Sequence, residues 1–194
     1  RYLSTNLTND HAISFIFDSA LAAIDGELVN PGAPPSKIND STPLAPQGGY
    51  QAGAKRAEGT APGVFNSVQC TSCHNPHASE NFRLLTKDYP PQFYSPYDPK
   101  LYALCFDCHE QSILTDAETT TLTSFRNGKV NLHYLHVNKT ERGRTCRACH
   151  EVHASKQPHQ IRDAVPYGSK GWMLKINFTP TPTGGSCAKT CHDT

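Results

Sequence analysis

Four short strings of cysteine and histidine constrain this 194-residue chain more than any other feature. All eight cysteines fall into pairs, and a histidine directly follows the second cysteine of every pair. The first three pairs have two residues between their cysteines, and the last pair has three. We number these strings motifs one to four, and they read Cys70-Thr-Ser-Cys73-His74, Cys105-Phe-Asp-Cys108-His109, Cys146-Arg-Ala-Cys149-His150 and Cys187-Ala-Lys-Thr-Cys191-His192.

The spacing C-x-x-C-H is the signature of haem c attachment, and motif four is a variant of it with one extra residue. Cysteines three apart lie about one helical turn from each other, so both sulfurs can reach the two vinyl groups on one porphyrin edge. The histidine that follows presents its imidazole to the iron. We therefore predict four covalent haem c groups, one for each motif. Their attachment residues are Cys70, Cys73, Cys105, Cys108, Cys146, Cys149, Cys187 and Cys191, and their proximal iron ligands are His74, His109, His150 and His192.

Zinc sites, a redox dithiol and a disulfide framework are alternatives for paired cysteines. None of them requires a histidine directly after the second cysteine of every pair, so haem attachment is the favoured interpretation. Zinc binding is the principal alternative that remains.

Six further histidines are available as the second, distal ligand of each iron. Met173 is the only methionine, so histidine–methionine ligation can serve one haem at most. Bis-histidine ligation throughout is the economical interpretation, and it predicts low reduction potentials because methionine ligation raises them. The distal candidates that we favour are His11, His77, His133, His136 and His153, and His159 is the weakest of the six. These candidates outnumber the irons, so at least one of them is a bystander.

The distal candidates differ in their setting. His77 and His153 each stand three residues after a proximal histidine, in strings that both continue with Ala-Ser. Each lies so close to one haem that we expect it to ligate a neighbouring haem. His133 and His136 share one face of a helical turn, so together they can ligate two haems, or either can pack on a haem edge. His11 lies far before motif one and is either a surface histidine or a ligand delivered from a distant part of the chain.

The chain is poor in apolar residues, since only 37% of its residues are hydrophobic and it contains 15 prolines and 13 glycines. A polypeptide core alone would struggle to offset the entropy lost on ordering such a chain. We therefore expect a mostly irregular, loop-rich fold with a few short α-helices and little β-structure. A stack of four haems should form its core.

Local signals predict a few regular elements. A short helix is expected from about Ser19 to Asp25, with Asp18 as its N-cap and Gly26 just past its end. Short helical turns should carry the four motifs, and one short strand is expected within 171–183.

Two segments are expected to contact the haems. The proline- and glycine-rich segment 31–63 is predicted to be an extended loop, and we favour a course over haem faces to the alternative of a disordered linker. The aromatic rings of 89–99 are expected to cover porphyrin edges.

We predict a single multihaem domain over residues 1–194. Motifs one and three share the trailing His-Ala-Ser, whereas motifs two and four lack it, so the repeat is a two-haem unit used twice. The parts of the domain are an N-terminal arm and loop (1–64), a first haem pair (65–115) and a second haem pair (130–194).

Charge and hydropathy narrow the function. The formal net charge of +1 gives no electrostatic reason to expect nucleic acid as a partner, and the longest apolar run is too short to cross a bilayer. Arg1 opens directly into polar sequence, so a signal peptide either has been removed or was never present. An iron with two histidine ligands has no open position for a substrate, so electron transfer rather than catalysis is expected.

Several strings carry a resemblance to known proteins. Motif one with its flanks, from Gln69 to His77, and motif three with its flanks, from Gly143 to His153, resemble the doubled C-x-x-C-H multihaem cytochromes of metal-reducing bacteria. The string Asn131-Leu-His-Tyr-Leu-His136 stands upstream of motif three and belongs to the same resemblance. The string Gly184-Gly-Ser-Cys-Ala-Lys-Thr-Cys-His192 fits the same pattern. The resemblance covers about 66–194, together with the string Asp10-His11-Ala-Ile-Ser-Phe.

The size, the motif count and the early histidine look most like the extracellular tetrahaem cytochromes that polymerise into conductive filaments. This resemblance implies a homopolymer in which one histidine of each subunit ligates a haem of its neighbour, and His11 is the natural candidate. It also implies export through the periplasm with removal of a signal peptide, and a location outside the cell or on its surface. Redox-partner cytochromes and extracellular electron acceptors would be its partners.

Two other functions remain open. A monomeric periplasmic or surface electron shuttle would have the same haem ligation. A multihaem reductase is less favoured, because multihaem nitrite reductases typically have lysine in place of the histidine of one motif, and all four motifs here end in histidine.

Overall fold

The computed structural model describes residues 10–31, 45–46, 65–167, 170–181 and 184–187. Within these ranges the longest helices have six residues and the longest strands have four. The structure therefore confirms a loop-rich chain with a few short helices and little β-structure. None of its described helices is long and apolar enough to cross a membrane.

The regular elements are short and spread along the chain. The α-helices are α1 (Ser19–Ile24), α2 (Cys70–Cys73), α3 (Ser112–Thr115), α4 (Leu132–Val137) and α5 (Cys146–Cys149). The 3₁₀ turns are Phe82–Leu84, Pro99–Tyr102, Cys105–Asp107 and Pro158–Gln160. The strands are β1 (Phe15–Ile16), β2 (Ala45–Pro46), β3 (Phe65–Val68), β4 (Arg126–Asn127), β5 (Val130–Asn131), β6 (Ala164–Tyr167), β7 (Trp172–Lys175), β8 (Thr179–Thr181) and β9 (Gly184–Ser186).

All strand pairing between these elements is antiparallel. Strand β3 lies between β1 and β2 in a three-stranded sheet, and three further pairs are β4–β5, β6–β7 and β8–β9. The longest pairing is that of β6 with β7, which runs in register from Ala164 opposite Lys175 to Tyr167 opposite Trp172. The segment 171–183 therefore contains β7 and also β8, one strand more than its sequence indicated.

Helix α1 confirms a prediction made from its capping residues. The Asp18 side chain accepts a hydrogen bond of 2.9 Å from the backbone N–H of Leu21, which satisfies one of the free donors of the first turn. The helix ends at Ile24, and the backbone is already extended at Asp25. Most of the predicted loop 31–63 lies outside the described residues, so its course over the haems stays a prediction.

The described chain divides into two compact units. One consists of the described residues of 12–89 and 98–111, and the other of residues 10–11, 90–97 and the described residues of 112–194. Motifs one and two lie in the first unit, and motif three lies in the second. The grouping of the whole chain into one multihaem domain stays a prediction.

Each unit contains a small apolar cluster that reaches an attachment cysteine. In the first unit Phe17 and Val68 are buried, and Cys108 packs against them. In the second unit the buried members are Ala148, Ile161, Val165 and Ile176, and Cys149 and Cys187 pack against them. Such clusters are small for a chain of this length, which agrees with its low apolar content.

Candidate haem-binding site

Motif one is built on a single helical turn. The four residues of α2 run from Cys70 to Cys73, and the backbone N–H of His74 donates to the carbonyl of Cys70 over 2.9 Å. The turn starts where the backbone N–H of Gln69 donates to Oγ of Ser72 over 3.1 Å. His74 then leaves the helix in an extended conformation. Both cysteines therefore belong to one turn and the histidine follows it directly, as haem attachment requires.

Motif three repeats this construction. Its four-residue helix α5 runs from Cys146 to Cys149, and the backbone N–H of His150 donates to the carbonyl of Cys146 over 2.8 Å. His150 is again extended. Helical turns are thus confirmed at motifs one and three.

The two proximal imidazoles are held in the same way by the backbone. Nδ1 of His74 lies 3.1 Å from the carbonyl oxygen of Arg83, and Nδ1 of His150 lies 2.9 Å from that of His159. A carbonyl can only accept, so Nδ1 carries the hydrogen and donates it. Nε2 therefore keeps its lone pair, and Nε2 is the nitrogen that a haem iron would bind. Burial also lowers the pKa of His150, which favours the neutral form needed for ligation.

An unusual backbone turn supplies both carbonyls. Arg83 has φ 60° and ψ 30°, and His159 has φ 55° and ψ 28°. The next residues, Leu84 and Gln160, are also at positive φ. Non-glycine residues rarely adopt this region, and such strain persists where the surrounding structure fixes it. Its recurrence at equivalent places in two motifs indicates that it serves to direct the carbonyl at the imidazole.

The equivalence between motifs one and three extends beyond the histidine. Backbone N–H groups of Asn75 and Glu151 donate to the carbonyls of Leu84 and Gln160, each over 2.7 Å. The Ser79 and Ser155 hydroxyls donate to the carbonyls of Leu85 and Ile161, respectively. Each residue of motif one and its equivalent in motif three, such as Asn75 and Glu151, are 76 residues apart in the chain. The repeat indicated by His-Ala-Ser is therefore a complete loop that closes back onto its attachment turn.

Motif two closes in a related way but with a different part of the chain. It lies on the 3₁₀ turn Cys105–Asp107, where the backbone N–H of His109 donates to the carbonyl of Cys105 over 2.9 Å. His109 forms a β-bridge with Leu28, as His74 does with Leu85. Leu28 lies 81 residues before His109, whereas Leu85 lies 11 residues after His74. Sequence reasoning had no signal for this partner.

Burial determines the state of two attachment thiols. It raises the pKa of Cys73 to about 11, and together with the nearby Asp107 carboxylate it raises the pKa of Cys108 to about 12. A redox dithiol requires a lowered thiol pKa, so these environments disfavour that alternative. Among the described residues, no three histidine, cysteine or acidic side chains converge as ligands for a metal ion.

Comparison with known proteins agrees with this geometry. Residues 63–113, which include motifs one and two, match the family model described as the doubled CXXCH motif. The match indicates covalently bound haem c. The match also supports a c-type haem protein that transfers electrons, and it is consistent with a multihaem cytochrome. The chain has no match among the curated proteins or the solved structures that were searched.

Motif four is described only at its beginning. Cys187 follows β9 and packs against the apolar cluster of the second unit. Cys191 and His192 lie outside the described residues, so their geometry stays a prediction.

Helix α4 carries two of the distal candidates. Its N-cap is the fully buried Asn131, whose side-chain oxygen accepts from the backbone N–H groups of His133 and Tyr134. Nδ1 of His136 lies 2.6 Å from the carbonyl of Leu132, and Nδ1 of His133 lies 3.3 Å from Oγ1 of Thr123. Both rings are therefore oriented through Nδ1, as iron-ligating histidines are.

The structure brings one distal candidate opposite a proximal histidine. The ring centroids of His133 and His150 are 6.5 Å apart, and their planes are inclined by 23°. His159, by contrast, contributes its backbone to His150, while its own ring packs edge-on against Phe178.

The remaining distal candidates lie in loops. His77 is exposed, and its backbone N–H donates to Oδ1 of Asn75 over 3.2 Å. His153 is partly buried, with Nδ1 3.1 Å from Oδ1 of Asp10. The backbone N–H of His11 donates to the carbonyl of Val152 over 2.8 Å.

Aromatic residues of 89–99 contact motif three. The guanidinium groups of Arg147 and Arg162 lie 4.6 Å and 5.1 Å from the ring centroid of Phe93. Oγ1 of Thr145, the residue before motif three, donates to the carbonyl of Gln92 over 2.9 Å. The segment therefore packs beside an attachment turn, and its contact with a porphyrin edge stays a prediction.

Proposed function

We propose that the chain is an electron-transfer protein that carries four bis-histidine haem c groups, and that it assembles as a subunit of an extracellular filament for long-range electron transport. The observation that carries the haem ligation is the spacing of the His133 and His150 rings, whose centroids are 6.5 Å apart and whose planes are inclined by 23°. The filament rests on the resemblance noted above.

The His133–His150 pair has the spacing of two axial ligands. Imidazoles bound on opposite sides of one metal through nitrogen bonds of about 2 Å have ring centroids roughly 6 Å apart, close to the 6.5 Å separation here. Nδ1 of His150 donates to a carbonyl and Nδ1 of His133 lies beside a hydroxyl. In this proposal each ring would bind the metal through Nε2. We infer that His133 is the distal ligand of the haem attached at motif three.

This assignment leaves His11, His77, His136 and His153 as candidates for the irons of motifs one, two and four. The orientation of His136 through Leu132 and of His153 through Asp10 supports both as ligands. His11 is the candidate for the haem of a neighbouring subunit.

Electron transfer follows from ligation on both sides of each iron. When bound, haem supplies a one-electron iron couple whose potential depends on its axial ligands and on the groups that contact them. Backbone carbonyls hold the imidazoles of His74, His136 and His150, so these ligands need not move when the charge of the iron changes. A saturated iron also offers no substrate position, which favours a carrier over an enzyme.

One variant tests the ligation directly. The wild-type protein should contain four haems by pyridine haemochrome, all low-spin and unreactive to carbon monoxide. His133→Ala should keep four covalent haems but make one of them high-spin and able to bind carbon monoxide when reduced. His159→Asn is the matched control, because it removes an imidazole at a residue where asparagine tolerates the positive φ, and it should stay low-spin. A His133→Ala protein with only low-spin haems would contradict the assignment.

A second variant tests the filament. Electron microscopy of the wild-type protein should show filaments, and His11→Ala should abolish them while four covalent haems remain. Normal filaments from His11→Ala would show that His11 is not the ligand between subunits. A wild-type protein that remains monomeric would favour the electron shuttle instead.

A further inference from the structure

A buried carboxylate holds one of the distal candidates. Oδ1 of Asp10 lies 3.1 Å from Nδ1 of His153 and accepts the backbone N–H of Ala154 over 2.9 Å. Asp10 is only 6% exposed. It stands 143 residues from His153 in the chain, so the contact joins distant parts of the sequence. The adjacent backbone N–H of His11 donates to the carbonyl of Val152 over 2.8 Å, which fastens the same segment to the loop of motif three.

The equivalent place in motif one shows what is special about this contact. There Oδ1 of Asn75 accepts the backbone N–H groups of His77 and Ala78 over 3.2 Å and 3.3 Å. Ala78 is the residue equivalent to Ala154, so Asn75 provides locally the cap that Asp10 provides from a distance. Within the described residues, no hydrogen bond is made by the imidazole of His77.

The loop of motif three has no asparagine at the position equivalent to Asn75. The residue equivalent to Asn75 is Glu151, whose carboxylate lies 3.6 Å from the guanidinium of Arg162. Asp10 therefore takes over the cap of Ala154 and adds a contact with the imidazole that motif one lacks. Two loops that match along their backbones thus differ in the charge placed against their trailing histidine.

We propose that Asp10 is a positioning residue for His153: its carboxylate fixes the hydrogen on Nδ1, directs Nε2 toward a haem iron, and makes the oxidised state of that haem more favourable. The inference rests on the proposed function, in which His153 is an axial ligand. A carboxylate that accepts from the far nitrogen of a ligating histidine orients the ring and increases its basicity. A more basic ligand with a negative charge beside it stabilises the higher charge of ferric iron. In the part of the chain that the structure describes, no carboxylate contacts the imidazole of His77, so the two trailing histidines should serve haems of different potential.

Two substitutions of Asp10 separate its charge from its hydrogen bonds. Asp10→Asn keeps an oxygen that can accept from Ala154 and His153 but removes the charge, whereas Asp10→Ala removes both. Potentiometry of the full-length protein with Asp10→Asn should show one haem with a higher potential. Contacts of this kind typically change metal-site equilibria by about tenfold or more, and a tenfold change is about 59 mV for one electron. Asp10→Ala should also broaden or shift one low-spin signal in electron paramagnetic resonance.

The control is Glu151→Gln, which removes one negative charge beside the same motif, at a carboxylate that lies 3.6 Å from the guanidinium of Arg162. It should leave the low-spin signals unchanged and shift the potential less than Asp10→Asn does. Equal shifts in Asp10→Asn and Glu151→Gln, or no change in either Asp10 variant, would overturn the positioning role.

His153→Ala distinguishes failure of this inference from failure of the proposed function. A new high-spin haem in His153→Ala establishes the ligand on which the inference depends. Four haems that all stay low-spin in His153→Ala would overturn the role of Asp10 but leave electron transfer by the protein intact. A wild-type protein without covalent haem would overturn both.

Discussion

Nζ of Lys87 lies 2.6 Å from Oδ1 of Asp107, which stands between the two cysteines of motif two. The Asp107 side chain is 9% exposed and that of Lys87 is 24% exposed. Among the described residues, Oδ2 of Asp107 has no hydrogen-bond partner. The ion pair with Lys87 therefore offsets much of the free-energy cost of burying the Asp107 carboxylate. It also joins residue 87, just after the loop of motif one, to the attachment turn of motif two within the first unit.

Replacing this lysine should weaken the first unit. We expect Lys87→Met to lower the free energy of unfolding by about 2 kcal/mol, between the values for exposed and fully buried pairs, because Asp107 would be left without its partner. Urea denaturation of the holoprotein measures the loss. The double variant Lys87→Met with Asp107→Asn should recover part of it, and equal stability of the single and double variants would show that the pair contributes little.

Asn131 should control both the stability and the ligation of the second unit. Its amide nitrogen donates to the carbonyls of Ile113 and Asp116, while its oxygen caps α4. Asn131→Ala leaves these buried groups unsatisfied, so we expect a loss of about 2–4 kcal/mol in unfolding free energy. The backbone N–H of His133 donates to the Asn131 side chain, so loss of this cap should loosen His133. A fraction of one haem should then become high-spin. Asn131→Asp keeps the capping oxygen and is expected to retain the low-spin spectrum better than Asn131→Ala.

Gly143 should not tolerate a side chain. A Cβ at this position would clash with the carbonyl oxygens of Val137 and Ser95, which are backbone atoms that cannot move aside cheaply. Gly143→Ala should therefore lower the thermal midpoint, at a cost of about 1–3 kcal/mol. The control is Gly128→Asn, where φ is +59° but nothing lies near the added Cβ, and asparagine tolerates this conformation. Similar losses in both variants would argue against a steric cause at Gly143.

The turn at Arg83 should depend on its backbone conformation rather than on its side chain. Arg83→Gly should be close to neutral, because glycine adopts positive φ without strain and keeps the carbonyl that meets His74. Arg83→Val should destabilise the protein by about 1–2 kcal/mol, since a β-branched residue is strained there. Thermal denaturation compares the two, and the haem spectrum of Arg83→Val should report partial release of His74. A valine variant as stable as the glycine variant would contradict the importance of this turn.

The sequence predicted the parts of the site that depend on side-chain identity. The attachment turns of motifs one to three and the capped helix α1 all follow from residues with specific chemistry, such as Asp18. The trailing His-Ala-Ser strings likewise indicated that motifs one and three are related, and the structure places them in matching loops.

The sequence did not predict how the proximal imidazoles are held, because backbone atoms do this. Arg83 and His159 share only their distance from the proximal histidine, and both contribute a carbonyl that any residue possesses. The imidazole of His159 is the feature that its sequence offers as an iron ligand, yet its carbonyl is the group that contacts His150. The sequence also did not predict the contact of Asp10 with His153, because no local pattern links residues that are 143 positions apart.

The different closures of the motifs have a consequence for modularity. Motif one, with its loop, is a contiguous stretch of fewer than twenty residues that contains its own closing contacts, so it can be duplicated or transplanted whole. Motif three closes on its own loop in the same way, but its trailing residues His153 and Ala154 also depend on Asp10. Motif two closes on Leu28, in a segment that precedes it in the chain. A graft of motif two alone would therefore arrive without its closing strand, and gene duplication of such a site must copy the upstream segment as well.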